Sequence, residues 1–215
     1  GLAGLALLGA GLLWQINFND GVDTRSSAPV ASDAATRARG AYLARAGNCL
    51  ACHTARGGPA AAGGRPIATP FGTVYSSNLT PDARAGIGGW NAATFWRALH
   101  HGRSADGRLL NPVFPYTHTT GLTRADSDAL FSYFLGLPPS ATAVPAHELR
   151  WPFGTQAALA LWRALYFRPG SFQPDPARSE QLNRGAYLVQ AVAHCSACHT
   201  PRDRLGGADW QSLSG

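Results

Sequence analysis

The 215-residue sequence contains no methionine and no lysine, and it has only four cysteines. Four cysteines are too few for a small scaffold stabilised by disulfides. Glutamate occurs only at positions 148 and 180, and no nucleophile triad, phosphate-binding loop or pair of catalytic carboxylates is recognisable. Charged residues make up 14% of the chain, which argues against a disordered protein. The length fits one large domain or two small ones.

Because lysine is absent, all 18 basic side chains are arginines. The pI of about 9.6 indicates an anionic partner. However, no basic run and no stripe of interleaved aromatic residues points to nucleic acid. We therefore expect no nucleic-acid partner.

The four cysteines lie in two C-x-x-C-H motifs, CLACH at 49–53 and CSACH at 195–199. This motif is the attachment signature of c-type haem. Two thiols on one helical turn can each add to a haem vinyl group, and the following histidine becomes the proximal iron ligand. A thioredoxin-like pair needs no trailing histidine, and a four-cysteine zinc site leaves both histidines unexplained. The motifs predict two covalently attached haems, held by Cys49, Cys52, Cys195 and Cys198, with His53 and His199 as iron ligands.

The pentapeptide RGAYL precedes each motif, at 39–43 and again at 184–188. The repeat predicts one supersecondary unit used twice, a helix that runs into a haem motif. Gly40 and Gly185 are expected at close helix crossings, with Tyr42 and Tyr187 supplying aromatic area there.

The first unit, residues 33–140, has the helix signals of a class I cytochrome c domain. A helix over 33–48 leads into the first motif, and a Gly/Pro-rich loop is expected over 54–89. Two further helices are predicted on either side of a loop at 103–122, one from Asn91 to Gly102 and one from Thr123 to Gly136. The second unit, 179–215, has only 16 residues after His199, so we expect it to be incomplete. The predicted fold is all-α, with tandem class I cytochrome c domains.

The N-terminal residues 1–19 carry no charged side chain. They fit either a membrane anchor helix or the core of a signal peptide. Trp14 and Phe18 suit an interfacial aromatic belt, and they favour the anchor. The connector, 141–178, contains an apolar helix at 155–167 that is too short to cross a bilayer. That helix packs between the haem domains or contacts a membrane surface or partner.

The sixth ligand of the first haem cannot be methionine. His118 lies in the loop before the last helix of the first unit, the segment expected to deliver a distal ligand, so we predict ligation by His118. The alternatives are His100 or His101, which end a helix, and an open site that permits small-molecule chemistry.

Several longer segments resemble a known family, among them TPFGTVYSSNLTPD (69–82), NPVFPYTH (111–118) and FRPGSFQPDPARSEQLNRGAYL (167–188). From about residue 36 onward the chain is similar to the cytochrome c subunits of bacterial membrane-bound alcohol, aldehyde and gluconate dehydrogenases. The resemblance implies that electrons pass from a catalytic subunit through several c haems to ubiquinone, at the periplasmic face of the inner membrane. It also implies three haem motifs on a chain about twice as long, so a third haem domain is expected on further sequence.

Many members of that family have methionine where this chain has Phe114. The FPYTH variant resembles the branch that partners molybdopterin and iron–sulfur aldehyde dehydrogenases, which favours such a partner. An alcohol or gluconate dehydrogenase that uses pyrroloquinoline quinone (PQQ) or FAD is the alternative. A stand-alone dihaem enzyme such as a peroxidase, or a membrane adaptor for an oxidase, also remains open.

Overall fold

A computed structural model describes residues 1–25 and 27–208. Its α-helices are α1 (Leu2–Phe18), α2 (Ala34–Ala46), α3 (Cys49–His53), α4 (Ala92–His101), α5 (Tyr116–Thr119), α6 (Arg124–Leu135), α7 (Gln156–Tyr166) and α8 (Glu180–Tyr187). A π-helical turn, Leu188–Val192, and a short 3₁₀ turn, Cys195–Ala197, follow α8.

The helices begin at the caps that the sequence predicts. The side chain of Asn91 accepts a hydrogen bond from the backbone N–H of the third residue of α4, and Thr123 does the same for α6. Gly102 ends α4 with φ of 58°, a left-handed conformation that glycine adopts at little cost. The predicted helices from Asn91 and from Thr123 are confirmed.

A small antiparallel sheet corrects the expectation of an all-α chain. Its strands are β1 (Pro66–Thr69), β2 (Gly72–Tyr75) and β3 (Glu148–Leu149), in the order β1-β2-β3. The first two strands lie inside the segment predicted to be a loop. The hydroxyl of Thr69 donates to the carbonyl of Gly72 and accepts from the N–H of Phe71, which closes the hairpin. The chain is therefore helix-rich with a small sheet.

The core of the first unit forms where α2 crosses α6. A Cβ on Gly40 would lie 2.0 Å from the carbonyl oxygen of Ala129, so only glycine allows this approach. The close crossing predicted at Gly40 is confirmed. At Gly185, no heavy atom outside its own helix backbone lies within 4 Å of the Cβ position in the described part of the chain, so the crossing predicted there stays a prediction. Tyr42 is 43% exposed and does not fill the crossing.

The first helix of the second unit packs into the core of the first unit. Tyr187, Ala191 and Val192 are buried in one cluster with the side chains of α2, α4 and α6. The hydroxyl of Tyr187 donates to the carboxylate of Asp126 at 2.6 Å, and that carboxylate also accepts from Arg39. Residues 187–192 therefore share a hydrophobic core with the first unit.

Helix α7 contacts α1, the first unit and the second unit. The amide of Asn17, at the end of α1, donates to the carbonyl of Ala160 and accepts from the guanidinium of Arg163. The indole N–H of Trp162 donates to the carbonyl of Leu205 in the second unit. Helix α7 therefore lies between other parts of the protein, as the first of the two interpretations of the connector helix predicts.

Among the described residues, no helix is both long and apolar enough to cross a membrane.

Candidate haem-attachment sites

The first motif forms the short helix α3. Cys49 is half-buried, Cys52 is exposed, and both thiols are free. Nδ1 of His53 lies 2.7 Å from the carbonyl oxygen of Ser77. A carbonyl can only accept, so Nδ1 carries the proton and Nε2 keeps the lone pair that binds a metal. Burial lowers the pKa of His53 and so favours the neutral form that ligation requires.

The second motif is a looser turn of the same kind. Cys195 begins a 3₁₀ turn, and the N–H of His199 donates to the carbonyl of Cys195 at 3.0 Å. Both cysteines of this motif have free thiols, and Cys198 and His199 are exposed. Ser196, between the two cysteines, is buried at 3% exposure.

The residues of both motifs fit covalent haem c. Each motif presents two unpaired thiols on one turn with a histidine immediately after them, and His53 has the tautomer of an iron ligand. Within residues 1–25 and 27–208, no group of three or more His, Cys, Asp or Glu side chains is assembled to hold a metal ion by itself. The two cysteine pairs are therefore not arranged as one four-cysteine zinc site.

His118 lies beside the second motif in the structure. It is 4% exposed, and its Nε2 lies 2.8 Å from the hydroxyl of Ser196. Nδ1 of the same ring lies 3.1 Å from the hydroxyl of Thr117. Burial lowers the pKa of His118 to about 4, with smaller contributions from His194 and Arg202. Ligation of the first haem by His118 stays a prediction.

The alternative ligands, His100 and His101, lie at the end of α4. The ring of His100 stacks on Trp96 at 4.2 Å, and burial lowers its pKa to about 4. His101 meets His100 edge-on, with ring centroids 4.7 Å apart. Both rings take part in aromatic packing, and ligation of the first haem by either residue stays an alternative.

Sequence reasoning missed the residues that hold the motifs in place. The residue before the first cysteine has a left-handed backbone in both motifs, with φ of 50° at Asn48 and 44° at His194. Ser77 orients His53 through its backbone carbonyl, which no side-chain pattern reveals. Aligning the two motifs would have paired Asn48 with His194, but the sequence does not show their shared conformation.

Comparison with known proteins agrees with this geometry. A family model described as Cytochrome c matches residues 37–138. The chain is 49% identical to a nicotinate dehydrogenase subunit of Pseudomonas putida over 80% of its own length and 15% of that protein. It is 44% identical to the gluconate 2-dehydrogenase cytochrome c subunit of Pantoea cypripedii, over 83% of this chain and 42% of that one.

A third relative is the cytochrome c subunit of alcohol dehydrogenase (quinone) from Gluconacetobacter polyoxogenes. It is 41% identical over 84% of this chain and 41% of its own length. The chain thus spans less than half the length of each of these three relatives.

Proposed function

Because the chain belongs to the cytochrome c family, with homologues named as cytochrome subunits of dehydrogenases, we propose that it is a dihaem electron-transfer subunit. Its two haems are attached through the cysteine pairs at 49–53 and 195–199. The observation that carries the proposal is the geometry at His53, where the Ser77 carbonyl fixes the protonated nitrogen and leaves Nε2 for iron.

The residues of the chain hold and orient the cofactor. The haem iron, when bound, supplies reversible one-electron chemistry. Cys49 and Cys52 would hold the first haem through thioether bonds, and His53 would be a ligand of its iron. In the second unit, Cys195 and Cys198 would provide the attachment, and His199 would ligate the iron. No nucleophile or general base is required of this chain, since the substrate chemistry belongs to a partner.

The proposed partner is a dehydrogenase catalytic subunit. The names of the three relatives support this class of partner, because each is a dehydrogenase subunit. The FPYTH segment at 114–118 favours a molybdopterin and iron–sulfur enzyme of the aldehyde-oxidising kind. A PQQ- or FAD-dependent alcohol or gluconate dehydrogenase is the second candidate, and two of the relatives' names favour it. Ubiquinone is the proposed electron acceptor.

We propose that the chain lies at the periplasmic face of the inner membrane and that α1 is an anchor that contacts the lipid without crossing the bilayer by itself. The apolar residues Leu5, Leu7, Leu8 and Leu12 are each more than 60% exposed, which supports contact with lipid. At the other end of α1, Asp20 pairs with Arg103 at 2.5 Å, and both side chains are nearly buried. This contact attaches the anchor directly to the first unit.

Isolation of the protein from detergent-solubilised membranes, followed by cofactor analysis of the co-purifying chains, tests the proposal. We expect a large catalytic subunit with molybdenum and non-haem iron. PQQ or flavin in its place moves the chain to the alcohol or gluconate class. If the chain comes alone and only with haem iron, the subunit proposal fails.

A further inference from the structure

The two haem motifs touch each other at the residues that precede their first cysteines. Nε2 of His194 lies 3.1 Å from the carbonyl oxygen of Gly47. The approach is close, because a Cβ on Gly47 would lie 2.9 Å from the carbonyl oxygen of Val192. The end of α2 and the segment before the second motif are therefore in direct backbone contact.

The hydrogen bond of His194 explains an unfavourable backbone conformation. A left-handed conformation is unfavourable for a residue with a Cβ. His194 adopts it with φ of 44°, and its ring then reaches Gly47. Since the Gly47 carbonyl can only accept, Nε2 of His194 carries the proton. The hydrogen bond offsets part of the backbone cost.

A second imidazole makes the reciprocal contact. His118 belongs to the first unit, and its Nε2 lies 2.8 Å from the hydroxyl of Ser196 inside the second motif. The rings of His118 and His194 lie 6.2 Å apart and meet at 64°. Thus one histidine reaches from each unit to the other, on neighbouring parts of the same interface.

The residues around this interface are closely packed. Ala191 is 1% exposed, and a Cβ on Gly121 would lie 2.8 Å from its side chain. The carbonyl of Gly121 also accepts a hydrogen bond from the N–H of Phe172, in the connector. The second motif therefore begins at a segment that is already packed on the first unit.

We propose that His194 and His118 form a histidine clamp that positions the second haem motif on the first unit. The clamp consists of the His194–Gly47 and His118–Ser196 hydrogen bonds. Both histidines are positioning residues, because they act through the backbone and side chain of the motif. This inference rests on the proposed function only in assuming that the second motif carries a haem.

The test uses the full chain loaded with both haems. Hydrogen exchange measured by mass spectrometry compares wild type with His194→Ala, His194→Gln and Ser196→Ala over the amides of 191–198. Each alanine variant is expected to exchange about fivefold faster there, the factor produced by losing a hydrogen bond worth roughly 1 kcal/mol. The backbone amides of α4 are expected to exchange at the wild-type rate in all three variants. His194→Gln retains slow exchange, because its side-chain amide can still donate to Gly47.

A second measurement distinguishes positioning of the second haem motif from a general effect on stability. The reduction potential and the ferric paramagnetic resonance spectrum of the second haem are expected to shift in both alanine variants, with those of the first haem unchanged. His194→Gln restores the wild-type values. Ser196→Ala removes one hydroxyl and keeps the test valid if His194→Ala does not fold. Unchanged exchange over 191–198 in both alanine variants, or equal acceleration in α4, overturns the proposal.

Discussion

The repeated pentapeptide RGAYL offers a matched pair of substitutions, Gly40→Ala and Gly185→Ala. The two glycines have the same neighbours in sequence but different surroundings in the fold. A methyl group at Gly40 would lie 2.0 Å from the carbonyl oxygen of Ala129 and 2.7 Å from Cβ of Tyr133. A methyl group at Gly185 meets no heavy atom within 4 Å in the described part of the chain.

The structure predicts that the two substitutions change the free energy of unfolding in opposite directions. An ordinary contact begins near 3.4 Å, so α2 must move away from α6 by about 1.4 Å to admit the methyl group at Gly40. Overpacking usually costs about 1–3 kcal/mol, and we expect about 3 kcal/mol here because the backbone of Ala129 cannot rotate away as a side chain could. Replacing glycine by alanine in a helix returns about 1 kcal/mol in both variants. Gly40→Ala therefore lowers the free energy of unfolding, whereas Gly185→Ala raises it by about 0.5–1 kcal/mol.

Thermal unfolding of the haem-loaded chain, followed by far-UV circular dichroism, measures both variants. For a chain of this size, 1 kcal/mol shifts Tm by about 2–4 °C, so we expect Gly185→Ala to melt several degrees above Gly40→Ala. Wild type lies between them. If Gly40→Ala is as stable as wild type, the close crossing of α2 and α6 is wrong. If Gly185→Ala is as damaging as Gly40→Ala, the open surroundings of Gly185 are wrong.

Three further predictions concern the core, the distal ligand and haem attachment. Asp126→Asn should lower the free energy of unfolding by about 1–3 kcal/mol in chemical denaturation, because the buried carboxylate has two side-chain partners. Asp128→Asn, which loses a partly exposed ion pair with Arg124 within α6, should change the free energy of unfolding by less than about 0.5 kcal/mol. His118→Ala separates the two roles proposed for His118, which exclude each other because Nε2 cannot both bind iron and contact Ser196. A high-spin first haem in this variant supports ligation, whereas an unchanged low-spin absorption spectrum eliminates that role. Cys49→Ser combined with Cys52→Ser should reduce covalently bound haem from two to one on a denaturing gel stained for haem, and two remaining haems would contradict the assignment.

Local signals in the sequence were sufficient to place the helices and the motifs. The cap at Asn91, the cap at Thr123 and the terminal glycine Gly102 all act within one turn, so their effect is visible in a short window. Gly40 was also predictable, because a glycine inside an otherwise good helix indicates a close approach.

The remaining features depend on contacts between distant parts of the chain. Strand β3 pairs with β2 across more than seventy residues, and neither strand is long enough to show alternation. The open surroundings of Gly185 were hidden, because the repeat implied the same packing for both units. The Asn17–Arg163 contact joins residues 146 positions apart, and nothing near either residue in the sequence indicates the other.

The position of the second motif also depends on contacts that the sequence does not reveal. Its cysteines and histidine were evident from spacing alone. Its attachment to the first unit through His194 and Ser196 was not, since each partner lies far away in the sequence. A left-handed backbone at a histidine leaves no mark in composition or periodicity.

The most direct test of the central claim is the mass of the denatured, reduced chain after expression in a host that matures c-type cytochromes. Two thioether-bound haems predict a mass equal to the polypeptide plus two haem groups, and the added mass stays on the chain after acid extraction. A chain that loses all haem on extraction, or that carries zinc at its cysteines and no haem, contradicts the assignment of a dihaem cytochrome c.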